Sequence, residues 1–193
     1  MHWQFQWVSQ MTQARLQWTY EQMSPSRKEH ILRFRRREDQ VRSLTGEWLL
    51  RQLLKAHWDM TSPVILRQEN GKPFLQDSCL HISITHSGDL VACAADEQPV
   101  GIDVERMQPF RWALADKVCT PRELCYVLGK LPREGEICED WGAIRRFYEI
   151  WTGKEAWFKM LGTGLGDLKS VNVLTLNRQC FPEGDYQIQI VQK

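Results

Sequence analysis

The sequence lacks the features that mark secreted, zinc-binding and membrane-spanning proteins. Its six cysteines form no CxxC pair and show no metal-finger spacing, so neither a disulfide framework nor a zinc finger is predicted. No stretch approaches the roughly 18 consecutive apolar residues that a transmembrane helix needs. The N-terminus alternates between aromatic and glutamine side chains and has no basic-then-apolar signal pattern. We therefore expect a cytoplasmic protein without a membrane partner. A monomer is expected as well.

An excess of one charge is also missing. The 193 residues include 25 Lys and Arg and 24 Asp and Glu, a net charge of +1. General nucleic-acid binding normally needs a strong basic excess, so no nucleic-acid partner is expected. Apolar residues make up 42% of the chain, and nine residues are Trp, which favours a packed core over disorder.

Periodicity and turn signals predict helices followed by strands, twice. The expected elements are a strand at 3–8, helices at 25–36 and 38–57, strands at 64–67, 81–85, 90–94 and 100–106, a helix from Thr120-Pro121, a loop at Leu131–Glu139, a helix at 141–161 and strands at 171–176 and 186–191. A weak internal echo accompanies this order, because Leu44-Thr45-Gly46-Glu47 is similar to Trp151-Thr152-Gly153-Lys154. The predicted class is α+β, with two similar halves at residues 1–99 and 100–193.

Two acids stand out in the segment Val100-Gly101-Ile102-Asp103-Val104-Glu105-Arg106. Side chains alternate along a strand, so Asp103 and Glu105 share one face about 7 Å apart. Two carboxylates on one face repel each other unless a cation joins them. The alternative is a half-exposed strand whose polar face lies in water.

A third acid follows in the long helix. Trp151, Glu155 and Lys159 fall on one helical stripe at i, i+4 and i+8. An ordinary surface pair of Glu and Lys would explain this spacing equally simply. With Asp103 and Glu105, however, Glu155 would form the hard-oxygen site that magnesium accepts, completed by phosphate oxygens and water.

Cations cluster in the first half. Ser24-Pro25-Ser26-Arg27-Lys28-Glu29-His30 places positive charge in the first turn of a helix, where the helix dipole disfavours it. A bound phosphate would resolve that conflict, whereas solvent-facing basic residues are the simpler alternative. Arg42 lies further along the chain and could face the same anion.

Taken together and in this order, these segments resemble the phosphopantetheinyl transferases of the surfactin-synthetase type. The matching stretches are NGKPFL, ISITHSG, VGIDVER and WTGKEAWFKMLGTGL, and the resemblance runs from about Ser24 to Val173. It implies two similar α+β halves related by a pseudo-twofold axis, with coenzyme A bound in the cleft between them. The first half would hold the adenine and 3′-phosphate, and the second half the magnesium ion and the catalytic groups.

The resemblance also implies roles for individual residues. Those expected to bind magnesium are Asp103, Glu105 and Glu155; those expected to contact coenzyme A are Arg27, His30, Arg42, Lys72, Pro73, Thr85, His86 and Lys159; those expected to be catalytic are Glu155 and Lys159. His30 stands where the family is expected to have a lysine, so its charge depends on pH. Glu123 resembles a further family acid. Longer family members add strands after the position of Lys193, so the second sheet is expected to be smaller.

The implied reaction transfers 4′-phosphopantetheine from coenzyme A to a serine of an apo carrier protein and releases 3′,5′-ADP, with Mg²⁺ as cofactor. Glu155, directly or through a water, would take the serine proton. Met107–Trp112 is a candidate docking segment for the carrier, although Phe110 and Trp112 would suit the core equally well. The alternatives are a metal-dependent hydrolase of the coenzyme A diphosphate and a non-catalytic coenzyme-binding module.

Overall fold

A computed structural model describes residues 1–129 and 133–193. The first two positions of the loop predicted at Leu131–Glu139 therefore lie outside the described residues. The elements up to residue 96 are β1 (His2–Trp7), α1 (Gln13–Glu21), α2 (Pro25–Leu32), α3 (Arg37–Trp58), β2 (Ile65–Arg67), β3 (Pro73–Leu75), β4 (His81–Ser87) and β5 (Leu90–Asp96). Those that follow are β6 (Val100–Arg106), β7 (Phe110–Arg111), α4 (Trp112–Val118), α5 (Pro121–Leu128), β8 (Ile137–Cys138), α6 (Trp141–Leu161), β9 (Arg178–Glu183) and β10 (Tyr186–Gln192).

Each half contains a three-stranded antiparallel sheet, and the two sheets have the same topology. The strand order is β1-β5-β4 in the first half and β6-β10-β9 in the second, and the long helices α3 and α6 occupy corresponding places in the chain. The similar tetrapeptides at residues 44–47 and 151–154 lie within these two helices. In both, the threonine hydroxyl donates to the carbonyl four residues earlier, at 2.8 Å from Thr45 and 2.7 Å from Thr152. The predicted fold of two similar α+β halves is confirmed.

The two sheets pack face to face through one apolar cluster. Residues from β5, including Leu90 and Ala92, meet Ile102 and Val104 from β6 and Ile188 from β10. Alternate side chains of each sheet point the other way, towards α3 in the first half and α6 in the second. Among the described residues, no helix is both long and apolar enough to cross a membrane.

A glycine determines how closely α6 approaches its sheet. A Cβ atom placed on Gly101 would lie 1.9 Å from the carbonyl oxygen of Ala156. Only glycine therefore fits at this point of β6. The close approach brings the polar stripe of α6 against the polar end of the same strand.

Several predicted elements were wrong in type or extent. Residues 171–176 were predicted as a strand, but Val173–Thr175 forms a 3₁₀ turn in which Asn172 accepts a hydrogen bond from the amide of Leu174. The β-branched residues of this segment suit a buried turn as well as a paired strand. The edge strand of the second sheet is β9, which begins later, at Arg178. Helix α2 ends at Leu32 rather than near Arg36. The helix α1 was missed because only Thr19 is buried along it, which leaves little apolar periodicity.

The candidate docking segment is mostly core. Phe110 and Trp112 are buried, and the ring of Phe110 stacks on that of Phe147 with 4.1 Å between centroids. Met107 is buried as well. Arg111, in contrast, is exposed. Of the two alternatives for Phe110 and Trp112, the structure therefore favours the core, because these side chains fill the space beside α6.

Candidate active site

Two adjoining cavities of about 310 and 250 Å³ lie between the halves and share Arg67, Ile84, Glu155 and Lys159 in their walls. The predicted residues lining the smaller cavity are Arg27, His30, Arg42, Thr85, His86, Asp103, Glu105, Glu155 and Lys159. Those lining the larger cavity are Lys72, Pro73, Glu155 and Lys159. The fold thus gathers every residue of the predicted site into one cleft, with the cations mostly on the first half and the carboxylates on the second.

Asp103 lines the smaller cavity. Only 2% of its surface is exposed, so the alternative of a polar strand face in water is excluded. Its Oδ1 accepts hydrogen bonds from the Thr85 hydroxyl at 2.8 Å and the Lys159 ammonium at 2.5 Å. Its Oδ2 is buried, and no residue that the structure describes donates a hydrogen bond to it. A buried carboxylate oxygen without a partner is costly, and a cation would remove that cost.

A row of hydroxyl groups joins the two halves beneath these acids. The backbone amides of Ile102, Val104 and Arg106 donate to the hydroxyls of Ser83, Thr85 and Ser87 at 3.1, 3.4 and 3.1 Å, respectively. Thr85 then donates to Asp103, and Ser87 donates to Glu105 at 2.8 Å. Thr85 and Ser87 therefore each fix one acid while accepting an amide of the strand that carries it, whereas Ser83 only accepts the amide of Ile102. The sequence analysis included the hydroxyls among the matching residues but did not predict that they bond to the backbone and the acids of β6.

The other two carboxylates have raised pKa values. Burial, followed by repulsion from Asp103, raises the pKa of Glu155 to about 7, although Lys159 acts in the opposite direction. Burial and the charge of Asp103 also raise the pKa of Glu105. Mutual repulsion of this kind requires that the three acids lie close enough to interact.

Lys159 does not form the surface pair with Glu155 that helical spacing allowed. Its ammonium bonds instead to Asp103 and, at 2.9 Å, to the hydroxyl of Thr85. The Cβ-free backbone at Gly101 makes this contact possible by letting α6 lie close to β6. Lys159 thereby offsets one of three neighbouring negative charges.

The predicted cations differ in their surroundings. Arg27 is buried and bonds to Glu47 and Ser43, so Glu47 offsets much of the charge that the helix dipole disfavours. Arg42 forms an ion pair of 2.5 Å with Asp39. Desolvation and then the neighbouring arginines, Arg27 first, lower the pKa of the exposed His30.

Arg67 lines both cavities and was missed by sequence reasoning. Its Nη1 donates to the carbonyl of Gly71 at 2.7 Å, and among the described residues it forms no ion pair with a carboxylate. Burial and the nearby charge of Arg27 lower its pKa to about 10. A lone arginine on a short strand carries no sequence pattern, so only the fold reveals this cation.

The β2–β3 hairpin reaches across the cleft to the end of α6. The Lys72 ammonium donates to the carbonyl of Met160 at 2.6 Å, and the side-chain amide of Asn70 donates to the carbonyl of Gly162. These bonds satisfy carbonyls that a helix leaves free at its C-terminus. Burial lowers the pKa of Lys72. Desolvation, and then Arg42 and Lys159, lower that of His86.

Glu123 lies away from the cleft. It is fully buried at the start of α5 and pairs with the equally buried Lys154 at 2.8 Å. It also accepts hydrogen bonds from the amides of Thr120 and Val173, both at 2.7 Å. The resemblance of Glu123 to a family acid therefore has a structural explanation in this chain.

The donor set suits a hard divalent ion, although the protein alone does not complete a site. Among residues 1–129 and 133–193, no three His, Cys, Asp or Glu side chains are grouped closely enough to hold a metal by themselves. Magnesium commonly uses one or two carboxylates together with phosphate oxygens and water. The Oδ2 of Asp103, which has no donor in residues 1–129 and 133–193, and the raised pKa of Glu105 fit such an ion.

Comparison with known proteins matches both halves. A family model described as 4'-phosphopantetheinyl transferase, N-terminal, covers residues 6–98. A second, the 4'-phosphopantetheinyl transferase superfamily, covers residues 99–189. The two ranges adjoin and take in almost the whole chain.

Individual relatives agree. The chain is 34% identical over 146 residues to the 4'-phosphopantetheinyl transferase Sfp of Bacillus subtilis (strain 168), which covers 74% of this chain and 62% of that protein. It is 35% identical over 179 residues to the 4'-phosphopantetheinyl transferase pptA of Paxillus involutus, covering 80% and 65%. The chain thus spans less than two thirds of either relative. With both halves matched, this chain belongs to the 4'-phosphopantetheinyl transferase superfamily.

Proposed function

We propose that the protein transfers the 4′-phosphopantetheine group of coenzyme A to a serine of an apo carrier protein and releases 3′,5′-ADP. The observation that carries the proposal is the cleft in which Asp103, Glu105, Glu155 and Lys159 of one half face the cations of the other. Coenzyme A carries both a diphosphate and a separate 3′-phosphate. The acids could hold the diphosphate through a metal ion, and the cations could bind the separate phosphate. The names of the relatives support the same reaction.

The first half would hold the coenzyme. Arg27, His30 and Arg42 border the smaller cavity and supply donors for phosphate oxygens. Lys72 and Pro73 border the larger cavity, where the apolar walls suit the adenine ring. Thr85 and His86 line the same cavity as the acids and would contact the diphosphate.

Asp103, Glu105 and Glu155 would hold magnesium together with the diphosphate. When bound there, the ion would offset the negative charge that repels an incoming oxygen. Thr85 and Ser87 keep two of these carboxylates in place, since each donates a hydrogen bond to its acid. Fixed carboxylates need no rearrangement during the reaction.

Glu155 would accept the proton of the carrier serine, directly or through a water. A general base works best with a pKa near the operating pH, and the pKa of Glu155 is raised to about 7. Lys159 lies beside it and would donate to an oxygen of the departing 3′,5′-ADP, whose negative charge increases as the bond to the β-phosphorus breaks.

The carrier would approach the open side of the cleft. Arg111 is exposed at the end of β7, the short strand that follows the one bearing the acids, and its charge would favour an acidic partner surface. Phe110 and Trp112 do not take part, since both are buried. No feature of the cleft favours the hydrolase alternative over transfer.

The experiment is a transfer assay on purified protein with coenzyme A, magnesium and a panel of apo carrier proteins, read by mass spectrometry. A covalent mass gain on one carrier, absent without magnesium, is expected. Asp103→Ala should abolish the gain. Release of phosphopantetheine into solution without carrier modification would contradict transfer, and near-normal transfer by Asp103→Ala would refute the metal assignment.

A further inference from the structure

A buried group of two arginines and one glutamate lies beneath the cation end of the cleft. Glu47 pairs with Arg51 at 3.0 Å and with Arg27 at 3.4 Å. The exposed fractions are 2% for Glu47 and 6% for each arginine. One carboxylate therefore faces two guanidinium groups, and the group carries an excess positive charge away from bulk water.

Glu47 is itself fixed. Arg51 also donates to the backbone carbonyls of Pro63 at 3.1 Å and Gln22 at 3.2 Å. These bonds tie the side chain of Arg51 to two loops, and Arg51 in turn holds one oxygen of Glu47. The other oxygen faces Arg27.

Only part of the Arg27 guanidinium is hydrogen-bonded within the described residues. Its Nε bonds to Glu47 and its Nη2 to the hydroxyl of Ser43 at 2.6 Å, whereas Nη1 is buried with no acceptor in the described part of the chain. Arg27 borders the cleft and an adjoining cavity of about 300 Å³ that Ser24 and Ser26 also line. A phosphate oxygen in either cavity would supply the missing acceptor.

The second half contains the same construction with the charges exchanged. Arg27 and Glu123 each follow a hydroxyl N-cap and a proline by the same spacing, and each pairs with the residue that follows a Thr-Gly step, Glu47 or Lys154. The second pair is fully buried and borders neither cavity of the cleft. This second pair is therefore an internal reference for a purely structural buried ion pair.

We propose that Glu47 is a positioning residue that, braced by Arg51, aims Nη1 of Arg27 at a phosphate of coenzyme A. The inference rests on the proposed function, since it takes coenzyme A as the ligand. Glu47 touches no substrate and acts only through Arg27. Nothing in its sequence neighbourhood marks it for this role.

The sign of the effect of Glu47→Gln tests the proposal. If Glu47 were only a counter-charge, its neutralisation would leave more positive charge at the cleft and tighten phosphate binding. If it positions Arg27, neutralisation should weaken coenzyme A binding by about 10- to 100-fold, the range of a lost charge-assisted hydrogen bond. Isothermal titration of coenzyme A into the free protein measures the dissociation constant.

A double-mutant cycle makes the route through Arg27 explicit. Glu47→Gln should have no further effect in an Arg27→Gln background, because its influence passes through that guanidinium. Glu123→Gln is the matched control: it should lower the melting temperature yet leave the dissociation constant within about twofold, because its pair lies outside the cleft. Circular dichroism on each variant verifies folding.

Unchanged or tighter binding by Glu47→Gln, or an equal loss in the Arg27→Gln background, would overturn the role of Glu47. Wild-type protein that fails to bind coenzyme A would overturn this inference together with the proposed function. Wild-type protein that binds coenzyme A but modifies no carrier would remove the proposed transfer alone.

Discussion

Thr85, in the first half, donates its hydroxyl to Asp103, in the second half, with an oxygen–oxygen distance of 2.8 Å. The same hydroxyl oxygen accepts hydrogen bonds from the amide of Val104 and from the ammonium of Lys159. One side chain thus connects β4, β6 and α6 at the point where the acids meet. The cleft is consequently a property of the interface between halves and not of either half alone.

Thr85→Val should destabilise the protein by about 1–3 kcal/mol. The substitution keeps the shape but removes the hydroxyl, leaving Asp103 and the amide of Val104 each short of a partner. Thr85→Ser retains the hydroxyl and should cost less than about 1 kcal/mol. Urea denaturation of the metal-free protein measures both, and equal stabilities of the two variants would contradict the assigned bonds.

The ionisation of Glu155 should make the protein less stable as pH rises. With a folded pKa of about 7, raised from 4.5, the folded chain retains a proton that the unfolded chain releases. The stabilisation is therefore complete below about pH 4.5 and is lost as the pH rises to about 7.

The comparison with Glu155→Gln isolates this contribution, because glutamine does not ionise. The lowered pKa values of His30 and His86 act in the opposite direction and are common to both proteins. Melting curves in EDTA from pH 4 to 8 should show the free energy of unfolding of wild type falling relative to the variant. A constant difference across the range would show that Glu155 titrates normally.

Gly101→Ala should cost about 3 kcal/mol or more, because the new methyl group would overlap the backbone of α6 at Ala156. Transfer activity should fall as well, since the displaced helix carries Glu155 and Lys159 away from Asp103. Gly135→Ala is the control: its Cβ would meet nothing within 4 Å, and only its φ of +64° is strained, at about 1–2 kcal/mol. Chemical denaturation compares the two, and equal costs would contradict the close packing.

Substitutions at Arg111 and Trp112 should affect different properties: carrier docking at Arg111 and fold stability at Trp112. Trp112→Ala should destabilise the fold by about 3–5 kcal/mol, because the ring is buried. Trp112→Phe should cost far less, because it also removes a buried indole N–H that has no acceptor among the described residues. Arg111→Ala should leave the melting temperature unchanged and raise the KM for the carrier but not for coenzyme A. A raised KM for both substrates would place Arg111 outside the docking surface.

The sequence by itself determined the local elements with strong periodicity. The strand at 100–106 and the helix at 141–161 match the structure in both bounds, since alternation and helical spacing record which face is buried. Family motifs also brought together the residues that line the cleft. Short, polar or edge elements such as α1 and β9 were missed, since their burial depends on distant partners.

Only the tertiary structure decided which charges face one another. Glu155 and Lys159 are four residues apart on a helix, yet Lys159 bonds to Asp103, because Gly101 lets two elements distant in sequence approach closely. Arg67 and Glu47 likewise lie near Arg27, which is distant from both in the sequence. Electrostatic energies depend on distance and burial in space, and a linear pattern specifies neither.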